Sequence, residues 1–344
     1  MVDTTNSRKT EHIRVIQDDA AVDRQKSYFD QIRLRHRGLP QLDLKQIDPS
    51  CEFLGKMLSF PLLISSMTGG DDEQLRSINR NLAIAAQATG VAMAVGSQRV
   101  MFSTPAARES FALRQFAPDA LLMANLGAVQ LNYGFGAEQA QAAIDCVGAD
   151  ALYLHLNPLQ EAVQPEGDTD FSHLDQRIAE VVAAVDRPVI LKEVGAGLAP
   201  EDIQLGLERG VRYFDLAGCG GTSWSRIEHH RQSQVSDRPL GLLFQDWGIP
   251  TPEALRLARP YMDQAQFIAS GGLRSGVDMV KSVILGGSLC GMAVPFLKPA
   301  MVSAEAVIAT IEQIKHEFVT AMFLLGVADI SQLRLNGALL LDEQ

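Results

Sequence analysis

Gln266-Phe267-Ile268-Ala269-Ser270-Gly271-Gly272-Leu273-Arg274-Ser275-Gly276 reads as a short buried strand, a glycine-rich turn and the start of a helix. The helix continues with Val277, Val280, Val283 and Ile284 at helical spacing and stops at Gly286-Gly287. A second unit follows at once, a strand at 288–292 that runs into Ala293-Val294-Pro295. Glycines let a backbone approach an oxyanion closely, and free N–H groups at a helix start attract negative charge. Two such loops after the last two strands of a barrel form a phosphate site; the competing reading is that they only reverse the chain.

Upstream lie further apolar runs at 61–66, 92–95, 120–124, 151–156, 188–192 and 213–217. Each is brief and nearly continuous in apolar residues, as parallel strands buried on both faces are. Eight strands alternating with helical segments predict an α/β fold, a (β/α)8 TIM barrel rather than an open doubly wound sheet. Residues 1–60 precede the first strand and predict an N-terminal arm or bottom cover, leaving 61–344 for the barrel. A long loop between strands six and seven, 218–265, reads as a lid or substrate loop, or else as a surface insertion.

The 344 residues are 47% hydrophobic and 21% charged, which suits a chain with a large core and excludes a mainly disordered one. A net charge of -11 argues against a surface that coats nucleic acid, though not against a small anionic ligand. Cys51, Cys146, Cys219 and Cys290 form no C-x-x-C pair, so a reduced, cytoplasmic setting is expected. The first twenty residues carry no apolar core of a signal peptide. The apolar stretch 301–325 is interrupted by Glu305, Glu312, Lys315 and Glu317, so no membrane span is expected. A G-x-S-x-G elbow is absent, against serine-hydrolase chemistry of that type.

Polar residues gather where the predicted strands end. They are Ser65-Ser66-Met67-Thr68, Gly96-Ser97-Gln98-Arg99, Asn125, His155-Leu156-Asn157-Pro158-Leu159-Gln160-Glu161, Lys192-Glu193 and Gly220-Gly221-Thr222. So many polar groups on one face are costly unless they bond one another or a ligand. A flat heteroaromatic cofactor would satisfy Thr68, Asn125 and Lys192 together. Lys192 would stabilise negative charge on a reduced flavin ring, or else pair with Glu193 or Asp215. Glu161 is a single carboxylate of the kind that suits Mg²⁺, which takes its other ligands from water and substrate phosphates. Arg8 and Lys9, with Arg99, can neutralise a diphosphate; a solvated tail is the ordinary reading of such a dipeptide. Cys219 has no neighbouring cation in sequence and reads as a packing residue rather than a nucleophile. His36, His173 and His316 show no partner pattern.

These motifs together resemble the type 2 isopentenyl-diphosphate isomerases, an FMN-dependent family of isoprenoid synthesis. The resemblance runs from Arg8-Lys9-Thr10-Glu11-His12 through Ser66-Met67-Thr68-Gly69-Gly70 and the Asn157-Pro158-Leu159-Gln160-Glu161 stretch. It continues through Asp215-Leu216-Ala217-Gly218-Cys219-Gly220-Gly221-Thr222-Ser223-Trp224 and Phe244-Gln245-Asp246-Trp247-Gly248 to Ser270-Gly271-Gly272-Leu273-Arg274. It implies that FMN is held by Ser65, Ser66, Met67, Thr68, Ser97, Asn125, Lys192, Thr222, Gly271, Gly272, Leu273, Ala293 and Val294. Substrate contacts are implied for Arg8, Lys9, Ser97, Gln98, Arg99, Asn157 and Gln160, catalytic roles for Gln160 and His155, and Mg²⁺ binding for Glu161. The implied reaction interconverts isopentenyl diphosphate and dimethylallyl diphosphate by a 1,3-allylic proton shift on reduced FMN, with NADPH as reductant. A cytoplasmic homo-oligomer, tetramer or octamer, is implied as well, with no nucleic-acid or membrane partner. The alternative is an FMN-dependent oxidoreductase on the same barrel, of 2-hydroxy-acid oxidase or nucleotide dehydrogenase type.

Overall fold

The computed structural model describes residues 5–24, 26, 28–231 and 239–341, with the side chains of residues 5–8 and 10 outside that description. Eight strands close a parallel barrel: β1 (Leu62–Ile64), β2 (Ala92–Ala94), β3 (Leu122–Gly127), β4 (Ala151–Leu156), β5 (Val189–Glu193), β6 (Tyr213–Asp215), β7 (Gln266–Ser270) and β8 (Leu289–Met292). Each of the eight apolar runs supplies one strand, and β8 pairs back to β1 through Cys290 and Leu62.

The helices lie outside or above this ring. They are α1 (Thr5–Asp18), α2 (Glu73–Thr89), α3 (Ala137–Val147), α4 (Pro158–Val163), α5 (Leu174–Ala184), α6 (Pro200–Glu208), α7 (Trp224–Arg231), α8 (Thr251–Ala258), α9 (Gly276–Ile284), α10 (Val294–Val302) and α11 (Ala304–Leu325), beside short helical turns. Local chemistry sets their ends: Asp72 accepts the N–H groups of Gln74 and Leu75 to start α2, and left-handed Gly90 stops it. Val280, Val283 and Ile284 of α9 are buried, as their spacing requires. The 22-residue α11 packs across α2 and α9, and no helix among the described residues is long and apolar enough to cross a membrane.

The barrel interior shows a change of character along every strand. Leu63, Ala94, Met123, Tyr153, Ile190, Tyr213, Ile268 and Leu289 form one apolar cluster. Two residues further on, the same face carries Ser65, Gly96, Asn125, His155, Lys192, Asp215, Ser270 and Gly291. Side chains alternate with a period of two, so a single step of two turns the oily floor into a polar mouth. A two-stranded hairpin, Cys51–Phe53 with Lys56–Leu58, adds Phe53 and Leu58 to the apolar cluster and closes the floor.

Residues upstream of β1 therefore cover both ends of the barrel. While the hairpin sits below, α1 and the segment after it lie against the mouth. Arg24 donates to the carbonyls of Gly195, Gly221, Thr222 and Gln245, and Asp23 pairs with Arg274. The long loop after β6 is partly helical, with α7 beside α1 and α8 returning to the outer ring.

Candidate active site

A cavity of about 220 Å³ opens at the C-terminal end of the strands, where the polar row emerges. Its wall includes Ser65, Ser66, Met67 and Thr68 after β1, Ser97 and Arg99 after β2, and Asn125, His155 and Lys192. Asn157, Gln160 and Glu161 enter from α4, Thr222 from the β6 loop, Gly271, Gly272 and Leu273 after β7, and Ala293 and Val294 after β8. Lys9 reaches in from α1, donating to the Ser97 carbonyl at 2.8 Å.

Gln98 does not join them. Its side chain is fully buried in the wall, donating to the Ala143 carbonyl at 3.0 Å and accepting the Asn125 N–H at 2.9 Å. The Gln98 side chain thus supports the wall, facing inward where Ser97 and Arg99 line the cavity. The Arg8 backbone lies in α1, but its side chain falls outside the described residues. Cys219 is buried, as a packing residue should be, yet its Sγ accepts a bond from Arg24 at 2.8 Å, a cation that sequence distance concealed.

Two arrangements match particular ligand classes. The first is the floor and the far wall. The hydroxyls of Ser65 and Thr68 are buried with no hydrogen-bond partner, an expense that a bound polar ring would remove. Gly271 has a φ of +96°, and a methyl there would overlap the Gly218 carbonyl, so the β7 loop can press against the β6 loop only as glycine. The start of α10 completes this side, offering N–H groups at Ala293 and Val294. Donors, bare backbone and a helix start fit a flavin mononucleotide with its phosphate at the β7–β8 loops.

The second arrangement is built on α4, which begins at Pro158 after Asn157. Asn157, Gln160, Glu161 and Gln164 stand at i, i+3, i+4 and i+7, hence on one helix face. The buried Glu161 carboxylate accepts from Asn157 Nδ2 at 2.8 Å, from the Asp168 N–H at 2.7 Å and from Gln164. The side-chain amide oxygens of Asn157 and Gln164 are buried without partners beside it. A carboxylate flanked by unspent oxygens is a hard-cation donor set. Among the described residues no cluster of three or more acidic, His or Cys side chains could hold a metal ion, so a cation here would depend on substrate oxygens as well.

Several groups at the mouth carry no signal in local sequence. His12 lies 3.2 Å from Glu228 and edge-on to Trp224. Glu228, on α7, also accepts from Gln160 at 2.8 Å and pairs with Arg231. Burial pushes its carboxyl up, but His12, Gln160 and Arg231 outweigh that and bring it down to about 2. Asp168 accepts from Arg99 at 2.7 Å and from Gln130 at 2.9 Å. Only Gln164 could have been found beforehand, from its helical spacing to Asn157.

Fold and mouth together define a flavin-binding barrel, and residues 136–339 match the family described as FMN-dependent dehydrogenase. Among solved structures, a flavocytochrome b2 variant with sulfite bound superposes with a TM-score of 0.68 at 19% identity, covering 94% of this chain and 79% of that one. A mandelate oxidase variant with a monooxide FMN adduct gives 0.60 at 17%, covering 90% and 88%. At these identities the likeness is one of fold. The isopentenyl-diphosphate delta-isomerase of Hydrogenovibrio crunogenus is 58% identical over 97% of both chains, and that of Paracoccus zeaxanthinifaciens 56% over 97% and 96%. The same enzyme of a Nostoc species is 43% identical over 97% and 96%. The chain belongs to the isopentenyl-diphosphate delta-isomerase family, in its FMN-dependent type 2 form.

Proposed function

We propose that the enzyme shifts the double bond of isopentenyl diphosphate to give dimethylallyl diphosphate, and the reverse, by a 1,3-allylic proton transfer with reduced FMN and Mg²⁺. The observation that carries this is one cavity that joins partnerless hydroxyls and a glycine-rich wall to a buried carboxylate flanked by unspent amide oxygens. Ser65, Ser66, Met67, Thr68, Ser97, Asn125, Lys192, Thr222, Gly271, Gly272, Leu273, Ala293 and Val294 hold FMN. Arg8, Lys9, Ser97, Arg99, Asn157 and Gln160 hold the substrate, and Glu161 holds Mg²⁺ against its diphosphate.

The chemical difficulty is to protonate an unactivated alkene and to tolerate the tertiary cation that develops. Bound and reduced, FMN supplies an electron-rich ring face and a ring nitrogen able to move a proton. Mg²⁺ supplies charge to offset the diphosphate. The chain supplies position. The His155 ring is fixed by its Nδ1 contact to Asn125 Oδ1 at 2.7 Å. Gln160 is oriented by donating to Glu228, which fits a relay or positioning role, since an amide is a poor acid. Lys9 and Arg99 bring two cations to the rim, where a diphosphate needs them. NADPH as reductant, a tetrameric or octameric assembly and a cytoplasmic location complete the reading and rest on the family resemblance.

An anaerobic assay with isopentenyl diphosphate, FMN, Mg²⁺ and a reductant, each left out in turn, tests it. The expected result is turnover only with flavin, metal and reductant together; undiminished turnover without flavin overturns the proposal.

A further inference from the structure

Asp215 ends β6 on the inner face of the barrel, fully buried, and none of the roles above uses it. Its Oδ2 accepts the Tyr153 hydroxyl at 2.9 Å, its Oδ1 accepts the Ser270 hydroxyl, and Lys192 Nζ stands 3.9 Å from Oδ2. A buried carboxylate is costly unless it is paired and hydrogen-bonded, so this one is held by its neighbours for a reason. Burial and the adjacent Asp215 push the Tyr153 hydroxyl well above its ordinary range, which keeps the proton on the tyrosine.

Lys192 lies between that charge and the cavity. Its ammonium donates to the Glu193 carbonyl at 2.6 Å and lines the mouth. The Glu193 carboxylate is taken up by the N–H groups of Val194, Gly195, Ala196 and Gly197. Asp215 is the one carboxylate within 4.0 Å of Lys192 among the described residues. Tyr153 and Lys192 approach the same oxygen, so the tyrosine brace limits how closely the ammonium can draw back from the mouth.

We propose that Asp215, braced by Tyr153 and Ser270, is a positioning residue that restrains the charge of Lys192 and so sets the reduction potential of the flavin at the mouth. The inference rests on the FMN reading of the site and deepens it. Uptake of two electrons and one proton leaves a flavin ring with one negative charge. An unrestrained ammonium beside the ring favours that form and raises the potential; the opposing carboxylate lowers it.

The test is the midpoint potential of FMN bound to the holoenzyme, read by anaerobic dithionite titration against a reference dye. Asp215→Asn should favour reduced flavin by tenfold or more at fixed potential, an upward shift of about 30 mV for a two-electron couple. Lys192→Gln should shift it down, and in that background Asp215→Asn should move it less than half as far. Tyr153→Phe frees Oδ2 for the lysine and should lower the reduced-to-oxidised ratio at fixed potential threefold or more, a downward shift of the midpoint, which gives a second test if Asp215→Asn does not fold. An unchanged or lowered potential in Asp215→Asn overturns the inference, as does an equal upward shift with and without Lys192, or an unchanged or raised potential in Tyr153→Phe. Wild-type protein that takes up no FMN overturns the flavin reading and this inference together, whereas bound flavin without these shifts overturns the inference alone.

Discussion

Glu161 is the residue on which the metal half of the proposed mechanism turns. Its carboxylate is buried, supported by the Asn157 amide and the Asp168 N–H, and flanked by unspent amide oxygens. Glu161→Gln keeps the shape and removes the charge that a hard cation needs. Isomerase activity should fall on the order of 100-fold or more, with FMN still bound at one per chain. Activity at the wild-type level, with unchanged dependence on Mg²⁺, would remove the metal from this position. The α4 cluster was legible in the sequence because one helix turn brings Asn157, Gln160 and Glu161 to one face. His12 and Glu228 were not, because the contact joins an arm and a loop that only the closed barrel brings together. The inward turn of the Gln98 side chain was not legible for a related reason: within Ser97-Gln98-Arg99, local sequence cannot tell which side chain turns into the wall.

At the scale of elements, the same distinction holds. The eight strands were legible because parallel strands buried on both faces need short unbroken apolar runs. The floor hairpin was less so, since Cys51–Phe53 and Lys56–Leu58 are three residues each and acquire their purpose only by packing under the barrel. Phe53 is 1% exposed and fills that floor, so Phe53→Ala should cost about 3–5 kcal/mol in denaturant unfolding. A loss below about 1 kcal/mol would mean that the hairpin does not seal the core.

The contact between arm and loop carries a pH signature. The Glu228 carboxyl is brought down from 4.5 to about 2, mainly by His12, Gln160 and Arg231 working against its burial. A group whose folded pKa is depressed contributes stability that is fully present above its unfolded pKa and lost as pH falls through the folded one. The clasp is therefore intact above 4.5 and fades toward 2. Unfolding free energies measured from neutral pH down to about pH 3 should fall less steeply in Glu228→Gln than in the wild type. Parallel curves for the two proteins would place the acid sensitivity elsewhere.

For the whole molecule, the fold serves many flavin chemistries, and the barrel shared with flavocytochrome b2 and mandelate oxidase does not choose among them. The choice lies in what surrounds the flavin position: a cation-bearing arm, a carboxylate flanked by unspent amide oxygens, and a mouth closed by α1 and α7. In the proposed reading, that mouth would take a diphosphate. In the proposed reaction the substrate leaves with its hydrogens rearranged and none removed. The direct measurement is the mass of the product formed from isopentenyl diphosphate under anaerobic conditions with reduced FMN and Mg²⁺, in ordinary and in heavy water. A product of unchanged mass in ordinary water, carrying solvent deuterium in heavy water, is what the account predicts; a product lighter by two hydrogens would contradict it.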